Sequence, residues 1–206
     1  MTSMRRITLP ASEETIRSLV AGDFVELDGE ITLTAGLPTH QRILDYVEAS
    51  RPLPIDISGG TLFHLGSYSR DVDGRFEVLY INPTTSTRFN GVMPTIIRQF
   101  GLRMVGGKGG LDRACADAMK EVGCLYLSFL GGGAPLLSDA VKEVKAVAWD
   151  DFVPHYRLVK LRVEGLGPLV VGIDAKGQSI YESLSKRAEE RMPDILRELD
   201  ETRNTN

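Results

Sequence analysis

Two short apolar runs in the second half of the chain each end in a cluster of glycines. Residues 102–105 lead into Gly106-Gly107-Lys108-Gly109-Gly110, and residues 125–130 lead into Gly131-Gly132-Gly133. Runs this short are strand length, and largely apolar runs belong to strands buried on both faces. Residues 92–100 and 111–122 read as helices between them, and residues 144–149 form another apolar run. Short apolar strands alternating with helices predict a buried parallel or mixed sheet. Two more strands are expected over residues 157–163 and 169–173. A charged helical tail over residues 179–205 is interrupted by Pro193.

The first third is richer in strand signals. Ser12 can cap a short helix whose first turn carries Glu13 and Glu14, and Gly22-Asp23 ends it. Residues 24–34 read as two strand pieces about Asp28-Gly29, a hairpin-turn dipeptide. Residues 38–50 form an amphipathic helix with Ile43, Leu44 and Val47 on one face. Arg51-Pro52-Leu53-Pro54 is an extended connector. Residues 62–65 and 76–81 are strands on either side of a turn at Asp73-Gly74. No long linker divides the chain, so it reads as one unit: a β-rich first third joined to an α/β remainder.

Composition narrows the function classes. The chain has 206 residues, and 24 Lys and Arg stand against 28 Asp and Glu, a formal charge of −4. That balance argues against bulk attraction to nucleic acid or anionic lipid. Hydrophobic residues at 42% and charged residues at 25% exclude a disordered chain. Cys115 and Cys124 are too few for a disulfide scaffold or a four-thiolate metal site. No signal-peptide stretch and no apolar run of about 18 residues is found, so the expectation is a cytoplasmic protein that does not enter a membrane.

Three constellations can carry chemistry. Asn82-Pro83-Thr84-Thr85-Ser86-Thr87-Arg88 follows a strand and offers hydroxyls, backbone N–H groups and a guanidinium to one anion. It equally fits a polar loop whose Ser and Thr cap a helix. The Gly106–Gly110 cluster is neither a Walker loop nor a dinucleotide fingerprint. Its four glycines let the backbone approach a ligand closely while Lys108 projects, and it also fits a flexible turn. Gly131-Gly132-Gly133-Ala134-Pro135 stands at a strand end, where ligands of α/β sheets collect, or serves tight packing. His40, His64 and His155 lack metal-ligand spacing. His40, beside Gln41 and Arg42 at a helix start, could face a site or be structural. Both cysteines read as small core residues.

The pieces PTTSTR, GGKGG, the glycine turn after LYLSFL, VKAVAWDDF and LGPLVVGIDAKGQSIY occur in this order in one family. The chain resembles the β subunit, or C-terminal domain, of the iron–sulfur hydro-lyases, which include class I fumarate hydratase and L(+)-tartrate dehydratase. The likeness covers about residues 20–182.

The resemblance implies a single α/β domain over residues 1–206 with a swivelling β/β/α fold and a mixed sheet. Its core spans about 20–182, and a charged tail covers 183–206. It implies a hydro-lyase, inactive alone, that adds or removes water on a small hydroxy-carboxylate such as fumarate, malate or tartrate. A partner α subunit would carry the four-iron–four-sulfur cluster, and this chain would bind no metal itself. The assembly would be a homodimer or a complex of two α and two β chains. Thr84 matches the threonine proposed as catalytic base, and Lys108 the lysine of the GKGG turn. Thr85 and Arg88 match carboxylate ligands, and His40 falls in the family's A-H-x-R stretch with a substrate-binding role. Gly36 and Leu37 stand where the family has an arginine and an aspartate. A non-catalytic anion-binding or regulatory relative is the alternative that Gly36 raises.

Overall fold

The computed structural model describes residues 4–204. In chain order they form β1 (Arg5–Thr8), α1 (Glu13–Arg17), β2 (Phe24–Leu33), α2 (Leu37–Glu48), β3 (Thr61–Phe63), β4 (Leu65–Val72) and β5 (Arg75–Pro83). Then come α3 (Met93–Phe100), β6 (Met104–Gly107), α4 (Arg113–Val122), β7 (Leu125–Ser128), α5 (Ala134–Asp139), β8 (Val141–Ala148), β9 (Leu158–Ile173) and α6 (Ile180–Asn204). Single 3-10 turns cover Ser86–Phe89 and Pro154–Tyr156.

The sheet is mixed, as the alternation of short apolar runs and helices implied. β1, β2, β3, β6 and β7 run parallel, and β9 runs antiparallel to β7, β2 and β8. Because β9 pairs with both β7 and β2, the strands β2, β3, β6, β7 and β9 close on one another. Closure leaves these five strands paired on both sides, and β1 and β8 remain as the outer strands of the sheet. β4 and β5 form a separate hairpin turning at Asp73 and Gly74, both with positive φ.

Strand alternation divides the core. Side chains of successive strand residues point to opposite faces. Phe63, Met104, Leu125 and Leu127 therefore enter the barrel interior with Val25, Leu33, Val159 and Leu161. Their neighbours Leu62, Val105 and Tyr126 face outward, under Ile43, Ile96, Ile97 and Met119 of α2, α3 and α4. Cys115 and Cys124 sit in this outer layer, fully buried, and burial pushes both thiols up.

Three sequence expectations resolve differently. Asp28-Gly29 is no hairpin turn: β2 runs straight through it, with register shifts against β9 on either side of Leu27. The Asp28 carboxylate is held by Arg6 and accepts the Gly165 N–H at 2.7 Å, while its carbonyl accepts the Leu9 N–H. The positive φ of Gly29, 120°, is spent on an irregularity in the strand. Likewise, residues 157–173 are one long strand, and α6 passes through Pro193 without a break.

Candidate functional site

Parallel strands deliver their C-terminal ends to one rim, and loops at that rim are where α/β sheets place ligands. Here β2 leads into Thr34-Ala35-Gly36, β3 into His64, β6 into Lys108 and β7 into Phe129. The ends are tied laterally. Thr34 N–H donates to the Phe63 carbonyl at 3.0 Å, His64 N–H to Gly106 at 2.6 Å and Phe129 N–H to Gly107 at 2.8 Å.

The hairpin then returns its second strand to the same rim. Thr84 N–H donates to the His64 carbonyl at 2.8 Å. Lys108 N–H donates to the Thr84 carbonyl at 3.0 Å, and Ser86 N–H to the Lys108 carbonyl at 2.8 Å. Thr85 and Lys108 thus form a parallel bridge. This brings together the two constellations that the sequence offered separately. Arg88 follows within the 3-10 turn that Thr85 opens, exposed to solvent. Thr84, Thr85 and Lys108 are half-buried. No acidic side chain pairs with Lys108 or Arg88 among the described residues, although Arg6, Arg42, Arg98 and Arg113 all have carboxylate partners. Two cations without a carboxylate partner, on segments joined by backbone bonds at Thr84, Thr85 and Lys108, favour an anion.

The glycines are there for close approach. A side chain at Gly107 would run into the Ser86 hydroxyl and come within 3.1 Å of the Thr84 carbonyl. Gly109 and Gly110 have φ of 82° and 80°, and a Cβ at Gly110 would meet the Tyr181 ring at 2.6 Å. Gly131 passes against the stem of Lys108: a Cβ there would stand 3.7 Å from Lys108 Cδ.

Behind the rim lies a buried polar chain that sequence reasoning missed. His64 Nδ1 is 2.8 Å from Ser86 Oγ, which is 2.9 Å from the Tyr126 hydroxyl, and that oxygen accepts the Gly110 N–H at 3.3 Å. Ser86 lay in the hydroxyl run, and its consecutive hydroxyls gave no sign of which one turns inward. His40 belongs to this layer. Its ring stacks on Phe89 at 4.2 Å and lies 5.2 Å from His64. Its Nδ1 donates to the Gly36 carbonyl at 2.7 Å, since a carbonyl can only accept. His40 is fully buried, so it stands behind the loop that carries Thr85 and Arg88. Burial, opposed by the Gly36 carbonyl, pushes its pKa down to about 4, and burial together with neighbouring His40 holds His64 well below the usual histidine value. Both Nε2 atoms are buried without a protein partner.

Gly36 has no room for a larger residue. A Cβ there would meet Thr39 Oγ1 and, at 2.7 Å, Tyr156 Cβ. The 149–157 segment is clamped over this corner. Arg42 grips Asp151 with two bonds of 2.8 and 2.7 Å and lies over the Phe152 ring, while Thr34 and Thr39 both donate to the Tyr156 carbonyl. His155 Nε2 bonds the Tyr80 hydroxyl at 2.9 Å. A separate cavity of about 230 Å³, lined by Thr32, Ile57, Thr61, Arg103 and Lys160 among others, contains none of the five predicted site residues.

Among the described residues no group of three or more His, Cys, Asp or Glu side chains is placed to hold a metal ion. The two buried cysteines are no ligand set for a cluster. No helix among the described residues is long and apolar enough to cross a membrane.

The model of the family described as Fumarase C-terminus matches residues 1–184. The chain is 30% identical over 193 residues to the Escherichia coli protein named "L(+)-tartrate dehydratase subunit beta", covering 94% of each. It is 31% identical over 186 residues to "Putative L(+)-tartrate dehydratase subunit beta" of Methanocaldococcus jannaschii, covering 90% of this chain and 95% of that one. It is also 34% identical over 191 residues to "Putative fumarate hydratase class I" of Geobacillus stearothermophilus. That alignment takes in 91% of this chain but 36% of the relative.

Proposed function

We propose, given that the chain belongs to the Fumarase C-terminus family, that it is the β subunit of an iron–sulfur hydro-lyase. The substrate class is a small hydroxy-carboxylate of the fumarate, malate or tartrate kind. The observation that supports the reading is the Thr85–Lys108 bridge, which joins the backbone of the Thr84-Thr85 segment to that of Lys108, one turn from Arg88, with no carboxylate paired to either cation among the described residues.

In this reading Thr85 and Arg88 hold a carboxylate, because fixed N–H donors and a guanidinium match its two oxygens. Lys108 faces the enolate-like charge that builds when a proton leaves the carbon beside a carboxylate, and preorganised positive charge there lowers the barrier. Thr84 takes or returns that proton. A threonine hydroxyl is a weak base unaided, and an adjacent ammonium makes its alkoxide form less unfavourable. His40 and His64, neutral and buried, support the loop from behind.

The cluster belongs to an α subunit in this reading, and when bound there it supplies a Lewis acid. Two facts support a partner. Relatives carry the words "subunit beta", and the longer relative has nearly two-thirds of its length outside the alignment. Residues 1–206 then form one β-type domain of the swivelling β/β/α kind, with a core over about 20–182 and a tail over 183–206. It works in the cytoplasm as a homodimer or in a complex of two α and two β chains.

The test is anaerobic co-expression with an α-type subunit, cluster reconstitution, and a panel of hydroxy-acids. Turnover of one or more of them is expected, with loss in Thr84→Ala and in Lys108→Ala. Full turnover in the double variant would sink the assignment.

A further inference from the structure

The C-terminal helix α6 leaves the body of the protein and buries almost nothing against it. From Glu182 to Arg203 every residue is exposed. A solvated helix would be polar all round, but this one is not. At about 100° per residue, Leu184, Ala188, Met192, Ile195, Leu196 and Leu199 fall within a stripe about 120° wide. The five large members are 39–54% exposed. Pro193 lies on the opposite, polar side, so it does not interrupt the stripe. A helix with an apolar stripe of this width draws most of its stability from burying it.

We infer that α6 pairs antiparallel with α6 of a second copy of this chain. Charge selects that occupant and its register. In an antiparallel pair centred between Met192 and Pro193, Arg187 stands level with Glu198 of the second copy and Arg191 with Asp194, a carboxylate that Arg197 of its own helix also reaches at 2.6 Å. Residues 187, 191, 194 and 198 all lie along one border of the apolar stripe, where facing helices place their ion pairs. The two-fold axis repeats each pair. The apolar side chains interleave in the same register, with Met192 of the two copies meeting at the axis. The root of the helix completes the seat: a groove of about 330 Å³ lined by Ala21, Ile180, Ser183, Leu184 and Arg187 lies where the second helix ends. A parallel pair is disfavoured by bulk. Tyr181 is packed on Tyr126 in the body, so parallel helices would drive the two bodies into each other, whereas antiparallel helices hold them at opposite ends.

The test uses the full chain. Light scattering over a concentration series should give twice the chain mass. Leu196→Glu and Leu199→Glu should each return it to one chain mass with the thermal midpoint of the body unchanged. Arg187→Glu should weaken the dimer at least tenfold, and Arg187→Glu combined with Glu198→Arg should restore it. Met192→Cys should oxidise to a cross-linked dimer and Leu184→Cys should not, with Cys115 and Cys124 buried and silent. A wild-type monomer, a dimer indifferent to Leu196→Glu, a charge swap without rescue, or equal cross-linking at both cysteines would each overturn the inference.

Discussion

The backbone N–H of Lys108 donates to the carbonyl of Thr84 at 3.0 Å. The glycine turn and the hydroxyl loop therefore share a ladder of main-chain bonds, to which the Ser86–Tyr126–Gly110 hydrogen bonds add a second tie. Replacing the Lys108 or Thr84 side chain leaves the ladder intact. In the reconstituted enzyme, Lys108→Ala is expected to lower kcat by about 10²–10³ with little change in the urea midpoint. Lys108→Arg should recover part of it. A parallel fall of stability and turnover would show that Lys108 acts on the fold.

Gly107→Ala tests the approach itself. The added methyl would run into the Ser86 hydroxyl, and overpacking of this kind costs about 1–3 kcal/mol. Removing the obstacle in Gly107→Ala, Ser86→Ala should return part of that cost. Additive losses in the urea-unfolding cycle would contradict the contact.

Tyr126→Phe removes one oxygen from the chain that runs from Gly110 to His64. The Gly110 N–H, which donates to that oxygen at 3.3 Å, is then buried without an acceptor. The expected destabilisation is about 1–3 kcal/mol. Because Gly110 and Ser86 flank Lys108, turnover should fall as well.

Acid should weaken the fold before most carboxylates titrate. The His40 pKa is held down to about 4 by burial, against the Gly36 carbonyl, and His64 is lowered by burial and by His40. Above the usual histidine value of about 6.5, folded and unfolded chains are both neutral at these rings and the pair contributes no slope. Below it the unfolded chain binds protons that the native chain refuses. Stability then falls by about 1.4 kcal/mol per pH unit for each ring, for His40 until about pH 4. Urea midpoints between about pH 7 and about pH 5 should decline, and His40→Gln should reduce the slope. An unchanged slope in that variant would show that His40 is not the titrating group.

The order of strands and helices was legible because its signals are local. Residues 102–105 and 125–130 are largely apolar; β6 begins in the first at Met104 and β7 lies within the second. The Asp28-Gly29 dipeptide misled for the complementary reason. A positive φ is a local property, but whether it closes a hairpin or kinks a strand depends on partners far away, here Arg6, Leu9 and Gly165. The site divides the same way. Thr84, Thr85, Arg88 and Lys108 stood out as residue types in a pattern, while Ser86, Tyr126 and His64 did not. A hydroxyl or an imidazole acquires its role from a burial the one-dimensional pattern cannot register.

The amino-acid sequence by itself determined which segments become strands, where glycine permits close approach, and which side chains could meet an anion. It also carried the family membership, because ordered motifs are a property of sequence. Only the tertiary structure decided that β9 closes the five strands into a ring, that Thr84 and Lys108 share one ladder, and that His40 lies buried behind the loop instead of facing outward. Those outcomes rest on pairings across tens of residues, where the registry of backbone hydrogen bonds and the exclusion of water are settled by the whole packed chain at once.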